Sequence, residues 1–229
     1  MLRLPTLRAY LTYNAHLFKA VFRQHHQELQ SLLAPYIKQD AVVADVGAHA
    51  GQFTKLFARM APQGRIYAFE PGAYALSILR KVARVKSLKN VMIVPYGLGD
   101  TAGHATLHLP IKKSGSLGFG TASLSDPKEG AATHADSVSI TTLDAFVEQQ
   151  KISKLDFIKC DIEGWEFNML KGAKKTLETL SPVLMLELNQ EALKKAGSSK
   201  QEIEDFLSTL GYGATAQAGA DIIFVRRAS

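Results

Sequence analysis

The apolar run Ala41-Val42-Val43-Ala44 leads straight into Asp45-Val46-Gly47-Ala48-His49-Ala50-Gly51, and the amphipathic Phe53-Thr54-Lys55-Leu56-Phe57-Ala58 follows. A buried strand, a glycine turn and a helix in that order leave few folds open. Gly47 and Gly51 are expected where backbone approaches a ligand closely. A second apolar strand, Ile66-Tyr67-Ala68-Phe69, ends in Glu70. A carboxylate at that tip is placed to accept two hydrogen bonds from ribose hydroxyls. Strand, glycine turn, helix and acid together give the layout of a nucleoside-cofactor site.

The glycine spacing separates two cofactor classes. A dinucleotide fingerprint is G-x-G-x-x-G, with the pyrophosphate on the helix N-terminus. Here the glycines are four apart, His49 fills the middle position and Asp45 sits two residues before Gly47. An acid is unfavourable beside a pyrophosphate and suits a ligand carrying ammonium and sulfonium charge. S-adenosylmethionine therefore fits better than NAD. The plain alternative is a strand-turn-helix with a surface Glu, which Glu70 in register disfavours.

Further segments extend the pattern: Glu70-Pro71, Gly97-Leu98-Gly99-Asp100, Thr142-Leu143-Asp144 and Asp156-Phe157-Ile158-Lys159-Cys160-Asp161-Ile162-Glu163-Gly164-Trp165-Glu166. In order and spacing these and the glycine turn resemble the FkbM family of S-adenosylmethionine-dependent methyltransferases, over about residues 40 to 190. The resemblance implies an α/β class I methyltransferase Rossmann-like fold. That is a mostly parallel seven-stranded sheet with a C-terminal antiparallel hairpin and helices on both faces. It implies cofactor binding by Asp45, Gly47, Ala48, His49, Gly51, Glu70, Pro71, Gly97, Leu98 and Asp161. It also implies O-methylation of a hydroxyl on a sugar or other small-molecule acceptor. His49 stands where the family more often carries Asn, and both side chains donate a hydrogen bond. The first 38 residues and the loop from 110 to 137 lie outside these motifs.

With 229 residues and 46% hydrophobic content, the chain suits one α/β unit with an appendage. Residues 1–39 are expected as a helical appendage, and 40–229 as the methyltransferase domain with an insertion at about 104–140. Strands are expected near 41–46, 65–69, 91–95, 155–160 and 182–188, and helices near 52–60, 72–86, 165–179 and 199–209. Ser199 with Glu202 marks a capping box, and Gly211 to Ala216 with Asp221 to Arg227 reads as a hairpin. The insertion has strand patterns at its ends and a Gly/Ser-rich middle from Ser114 to Ser137, favoured as a substrate lid over plain surface.

Residues 1 to 27 hold no acid, and apolar residues at Leu7, Tyr10, Leu11, Leu17, Phe18, Val21 and Phe22 approximate one helical face. A lid over the cleft, a membrane-surface helix and a transit peptide compete for this segment, with the lid favoured. A second short helix from Gln27 ends near Pro35. Formal charge of +6 and a pI near 9.3 admit acidic partners, but the charge is spread over several segments. No nucleic acid is expected as partner, and peripheral membrane contact through residues 1–27 stays open. Cys160 is the one cysteine, so no intrachain disulfide forms, and its apolar strand reads as burial rather than nucleophilic chemistry. No run approaches the ~20 apolar residues of a bilayer span and no signal-peptide core is present, which predicts a cytoplasmic protein.

Ligands of open parallel sheets sit at the carboxyl ends of strands, which aims Asp161 at the cleft. It could hold the aminoacyl part of the cofactor, take a proton from the acceptor hydroxyl, or merely cap the next helix. Glu163 and Glu166 either complement the helix dipole or act on substrate. Gly164 is expected to allow close backbone approach. Glu187 ends the strand Val183-Leu184-Met185-Leu186, so Asp161, Glu163 and Glu187 form the candidate catalytic set. Three clustered carboxylates share a proton or a cation, and Mg²⁺ would suit, but no tight acidic spacing demands a metal and none is expected. His134 with Asp136 is a weaker base pair. Methyl transfer needs alignment and a base rather than a nucleophilic triad. Two other functions compete: ribose methylation of a nucleic acid, and a non-catalytic cofactor-fold protein docked to a membrane or partner.

Overall fold

The computed structural model describes residues 7–110, 123–124 and 133–227, with side chains from residue 10 onward. A seven-stranded sheet forms the centre. Its strands are β1 (Val42–Val46), β2 (Arg65–Phe69), β3 (Val91–Val94), β7 (Phe157–Cys160), β8 (Val183–Glu187), β9 (Tyr212–Ala218) and β10 (Asp221–Arg226). Their order is β3-β2-β1-β7-β8-β10-β9. The first five in that order are parallel, and β10 runs antiparallel to both β8 and β9. This is the class I fold expected from the sequence.

Strands covered on both faces read as continuous apolar runs, and alternate residues serve opposite layers. In β1, Ala44 and Val46 join one core with Phe69, Ile158, Cys160, Leu184 and Leu186. Val43 joins the other with Ile66, Phe157, Met185 and Ile223. The second core is roofed by α3 (Gln52–Met60) through Leu56 and Phe57. α4 (Ala73–Val85) follows β2 and buries Ile78, Leu79 and Val82. On the first core lie α6 (Glu166–Lys171), α7 (Lys174–Leu180) and α9 (Lys200–Thr209). At the start of α9, Ser199 Oγ caps by accepting from the Glu202 amide at 3.2 Å, and its hydroxyl donates to the Glu202 carboxylate at 2.8 Å.

Four features differ from the expected element list. The helix placed at 165–179 is two helices, α6 and α7, parted at Gly172 and Ala173. A Cβ on Gly172 would lie 2.0 Å from the Gly99 carbonyl oxygen, so the chain must break where another segment crosses it. Asp144, in α5 (Leu143–Gln149), caps α7: its carboxylate accepts from the amides of Lys175 and Thr176 and from Thr176 Oγ1. Neither α5 nor α8 (Gln190–Lys195) was anticipated, each being too short for a periodic signal. A second sheet also forms, in which β4 (Gly97–Leu98) and β5 (Gly103–Pro110) flank β6 (Thr133–Thr141). The strand patterns at either end of 104–140 are β5 and β6. The proposed lid, Ser114 to Ser137, lies mostly outside the described residues.

Ahead of the sheet, α1 (Leu7–Phe22) rests on α4, and a 3₁₀ turn (Gln27–Leu29) runs into α2 (Gln30–Leu33). Tyr13, Ala20 and Val21 are buried against Tyr74, Ile78 and Val82. Lys55, buried in α3, donates from Nζ to the carbonyls of Ala20 and Arg23 and so ties down the C-terminal end of α1. Among the described residues no helix is long and apolar enough to cross a membrane.

Candidate active site

The glycine turn is welded to the end of β2. Gly47 and Ala48 both donate to the Phe69 carbonyl, at 3.1 and 2.9 Å. The next residue, His49, turns left-handed (φ 49°), a conformation in which Asn and His are several-fold enriched. That conformation accounts for Asn or His at this position. The turn presents the His49 amide to Glu70 Oε2 at 2.8 Å, while the Gly72 amide meets Oε1 at 2.8 Å. Glu70 thus stands at the tip of β2 beside the glycine turn, with its carboxylate braced by backbone. Each oxygen keeps a second lone pair for a ligand hydroxyl. Burial pushes its pKa up to about 7, against the pull of those two amides.

One cleft is lined by Gly47, Ala48, His49, Glu70, Pro71, Gly97, Leu98, Asp161 and Glu163. Three expected residues do not line it. Asp45 is fully buried, bonded by Thr54 Oγ1, and faces Lys159; burial raises its pKa while Lys159 opposes the rise. Gly51 is the left-handed N-cap of α3, where a Cβ would meet Leu79 at 2.8 Å. Glu187 reaches the cleft only through its hydrogen bond to Asp161. Gly47, which lines the cleft, has a packing reason to be glycine as well. Its φ is +78° and a Cβ would stand 2.0 Å from the Asp161 carbonyl oxygen, so two strand-end loops cross there. Gly164 (φ +100°) is likewise approached by the α8 backbone at Ala192.

Asp161 does not cap the following helix. No side chain caps α6, and Glu166, its first residue, instead closes the preceding turn by accepting from the amides of Ile162 and Gly164 at 2.9 and 3.3 Å. Asp161 instead pairs with Lys159, Nζ to Oδ2 at 3.1 Å. Burial works against that lysine's charge, but Asp161 and Asp45 more than offset it and hold it protonated. Burial also opposes the charge of Asp161, yet Lys159 and the hydrogen bond from Glu187 keep its pKa below the usual carboxylate range. Glu187 is pushed up to about 8 by burial and by Asp161, so this pair holds one proton at neutral pH. Glu163 is raised to about 7 by burial, then by Asp161 and Glu166. Asp221, opposite Glu187 in the sheet, adds a fourth acid to Asp161, Glu163 and Glu187. Among the described residues no cluster has the geometry to hold a metal ion.

Among the cleft residues that the sequence reading did not single out are Lys159 and His26. Lys159 alternates into a buried strand with no motif of its own to mark it, although its neighbours Asp45 and Asp161 were identified. His26 stacks on Phe53 at 4.3 Å and burial lowers its pKa, leaving it neutral. Other residues stand aside from the chemistry. His134 and Asp136 bond each other at 3.0 Å on β6, outside the cleft lining. Cys160 is fully buried, with its thiol pKa pushed well up by that burial, which leaves it inert.

Residues 45–213 match the methyltransferase FkbM domain. The chain is 24% identical over 191 residues to the 2-O-methyltransferase NoeI of Sinorhizobium fredii, covering 80% of this chain and 76% of that protein. It is 26% identical over 160 residues to the hexuronic acid methyltransferase AglP of Haloferax volcanii, covering 69% of this chain and 61% of that one. Of solved structures, the methyltransferase FkbM of Methylobacillus flagellatus superposes with a TM-score of 0.57 at 16% identity, over 82% of this chain and 44% of that chain. The present chain thus spans less than half of that protein. A SAM-dependent methyltransferase from Aquifex aeolicus superposes at 0.51 with 15% identity, over 92% and 95% of the two chains. Identities this low speak for the fold alone. The domain match runs through most of the sequence and through every strand of the cleft, and on it this chain belongs to the FkbM methyltransferase family.

Proposed function

We propose that the chain is an S-adenosylmethionine-dependent O-methyltransferase whose acceptor is a hydroxyl of a sugar or another small molecule. The observation that carries this reading is Glu70, a buried carboxylate braced by the amides of His49 and Gly72 yet open to the cleft with acceptor capacity left over. That donor and acceptor set fits the ribose of a nucleoside cofactor. Asp161, kept ionised by Lys159, fits an ammonium group. The relatives NoeI and AglP, by name a 2-O-methyltransferase and a hexuronic acid methyltransferase, support a sugar-like acceptor.

When bound, the cofactor supplies an electrophilic methyl on sulfur, and the protein's part is to align the acceptor, exclude water and take its proton. Glu163 lines the cleft with a pKa of about 7, matched to accept a hydroxyl proton at neutral pH. Glu187, protonated against Asp161, keeps the two acids from repelling one another. Glu163→Gln is expected to lower kcat by about 10²- to 10⁴-fold and to remove the rising limb of the pH–rate profile near pH 7. Labelled-methyl transfer to a panel of hexoses and hexuronic acids checks both. Transfer at wild-type rate by the variant would remove Glu163 from the mechanism, and no transfer to any hydroxyl acceptor would count against the acceptor class.

A further inference from the structure

The N-terminal helix is apolar on two sides. One side, with Tyr13, Ala20 and Val21, is used up on α4. The other carries Leu11, Phe18 and Phe22, spaced i, i+7, i+11 along one stripe, and these are 59%, 63% and 66% exposed. Tyr10 flanks the stripe, and Val85 at the end of α4 is a further exposed aliphatic group. Phe18 and Phe22 lie with ring centroids 4.7 Å apart, and both remain largely exposed. Exposed apolar side chains gathered in this way mark a contact surface.

Charge says what the contact is with. Residues 7–27 and 71–99, the segments that contain α1 and α4, hold eight Lys and Arg and no Asp or Glu, although the whole chain is only +6. Lys86 Nζ stands 5.4 Å from the Phe22 ring centroid, and Lys81 Nζ stands 4.5 Å over Tyr13. Exposed Lys19, Arg23, Arg80 and Arg84 extend the cationic rim. We propose that this α1–α4 face docks on an anionic lipid bilayer, the phenylalanines entering the acyl boundary and the lysines and arginines meeting phosphate headgroups. A second copy would bring two cationic rims together, and a nucleic-acid backbone would leave Leu11 and Val85 without a partner. The same helix borders the cleft, because His16 Nδ1 bonds the hydroxyl of Tyr74, a lining residue, at 2.9 Å. Docking therefore sets the cleft rim against the bilayer. This goes beyond the methyltransferase reading and does not depend on it.

Vesicle flotation of the full chain tests the proposal, using phosphatidylcholine alone and phosphatidylcholine with about 30 mol% phosphatidylglycerol. Binding to the anionic vesicles only is expected, weakened by salt. The Phe18→Ser/Phe22→Ser double variant should lose at least about tenfold in vesicle affinity with an unchanged Tm, since both rings are exposed. Lys81→Glu/Lys86→Glu should lose as much. Failure of the wild type to float with anionic vesicles overturns the proposal, as does wild-type flotation by the phenylalanine variant. Dimerisation or single-stranded RNA binding that the same variants abolish, without vesicle binding, would assign the face to that partner instead.

Discussion

At the scale of single residues, the account turns on carboxyls held away from their ordinary pKa. Glu70 is raised to about 7 by burial, yet a ribose hydroxyl bonds best to the ionised form. Affinity for S-adenosylhomocysteine should therefore fall as pH is lowered from about 8 to 6, and Glu70→Gln should flatten that dependence, as read by calorimetric titration at several pH values. The same shift has a cost in the free protein. Between about pH 4.5 and 7 the folded state keeps a proton on Glu70 that the unfolded chain has lost, so stability falls as pH rises through this window. Glu163 and Glu187, raised to about 7 and 8, act in the same direction. Lys159 answers part of that cost, since its ammonium bonds Asp161 and its charge pulls down the pKa of Glu70, Glu163 and Glu187.

Short elements are held by single polar contacts. The N-terminus of α7 is capped by the carboxylate of Asp144, which takes three hydrogen bonds. Asp144→Ala should cost about 1–2 kcal/mol in chemical denaturation while leaving cofactor affinity intact, because Asp144 is not among the residues lining the cleft. The link between α1 and the rest depends on Lys55 in a comparable way. Lys55→Met keeps the aliphatic stem but leaves the Ala20 and Arg23 carbonyls without their donor. Amide exchange across Leu7–Phe22 should accelerate by about tenfold or more, with the central strands unchanged; equal protection in both proteins would mean that apolar packing alone holds α1. Nothing in the sequence announces either contact. Asp144 and Lys55 meet partners far along the chain, and each looks like an ordinary helix-surface charge until the helices are packed.

For the whole molecule, what could be read in advance follows the length of the apolar pattern. The parallel strands are continuous runs between turn signals, and α3, α4 and α9 show a clear helical period, so sheet, layers and hairpin were legible. The break at Gly172, the short α5 and α8 and the two-residue β4 were not, because tertiary crossings and contacts a few residues long set them. Of the candidates named from strand ends, Glu70, Asp161 and Glu163 line the cleft, whereas Asp45 is buried against Thr54, a placement that only the packing of α3 on β1 decides. The central claim is that this cleft binds S-adenosylmethionine through Glu70. Calorimetric titration of the wild type and of Glu70→Ala with S-adenosylhomocysteine tests it most directly. Micromolar binding weakened by about 1–3 kcal/mol in the variant is the predicted result. No binding to the wild type, or equal affinity in the two proteins, would contradict it.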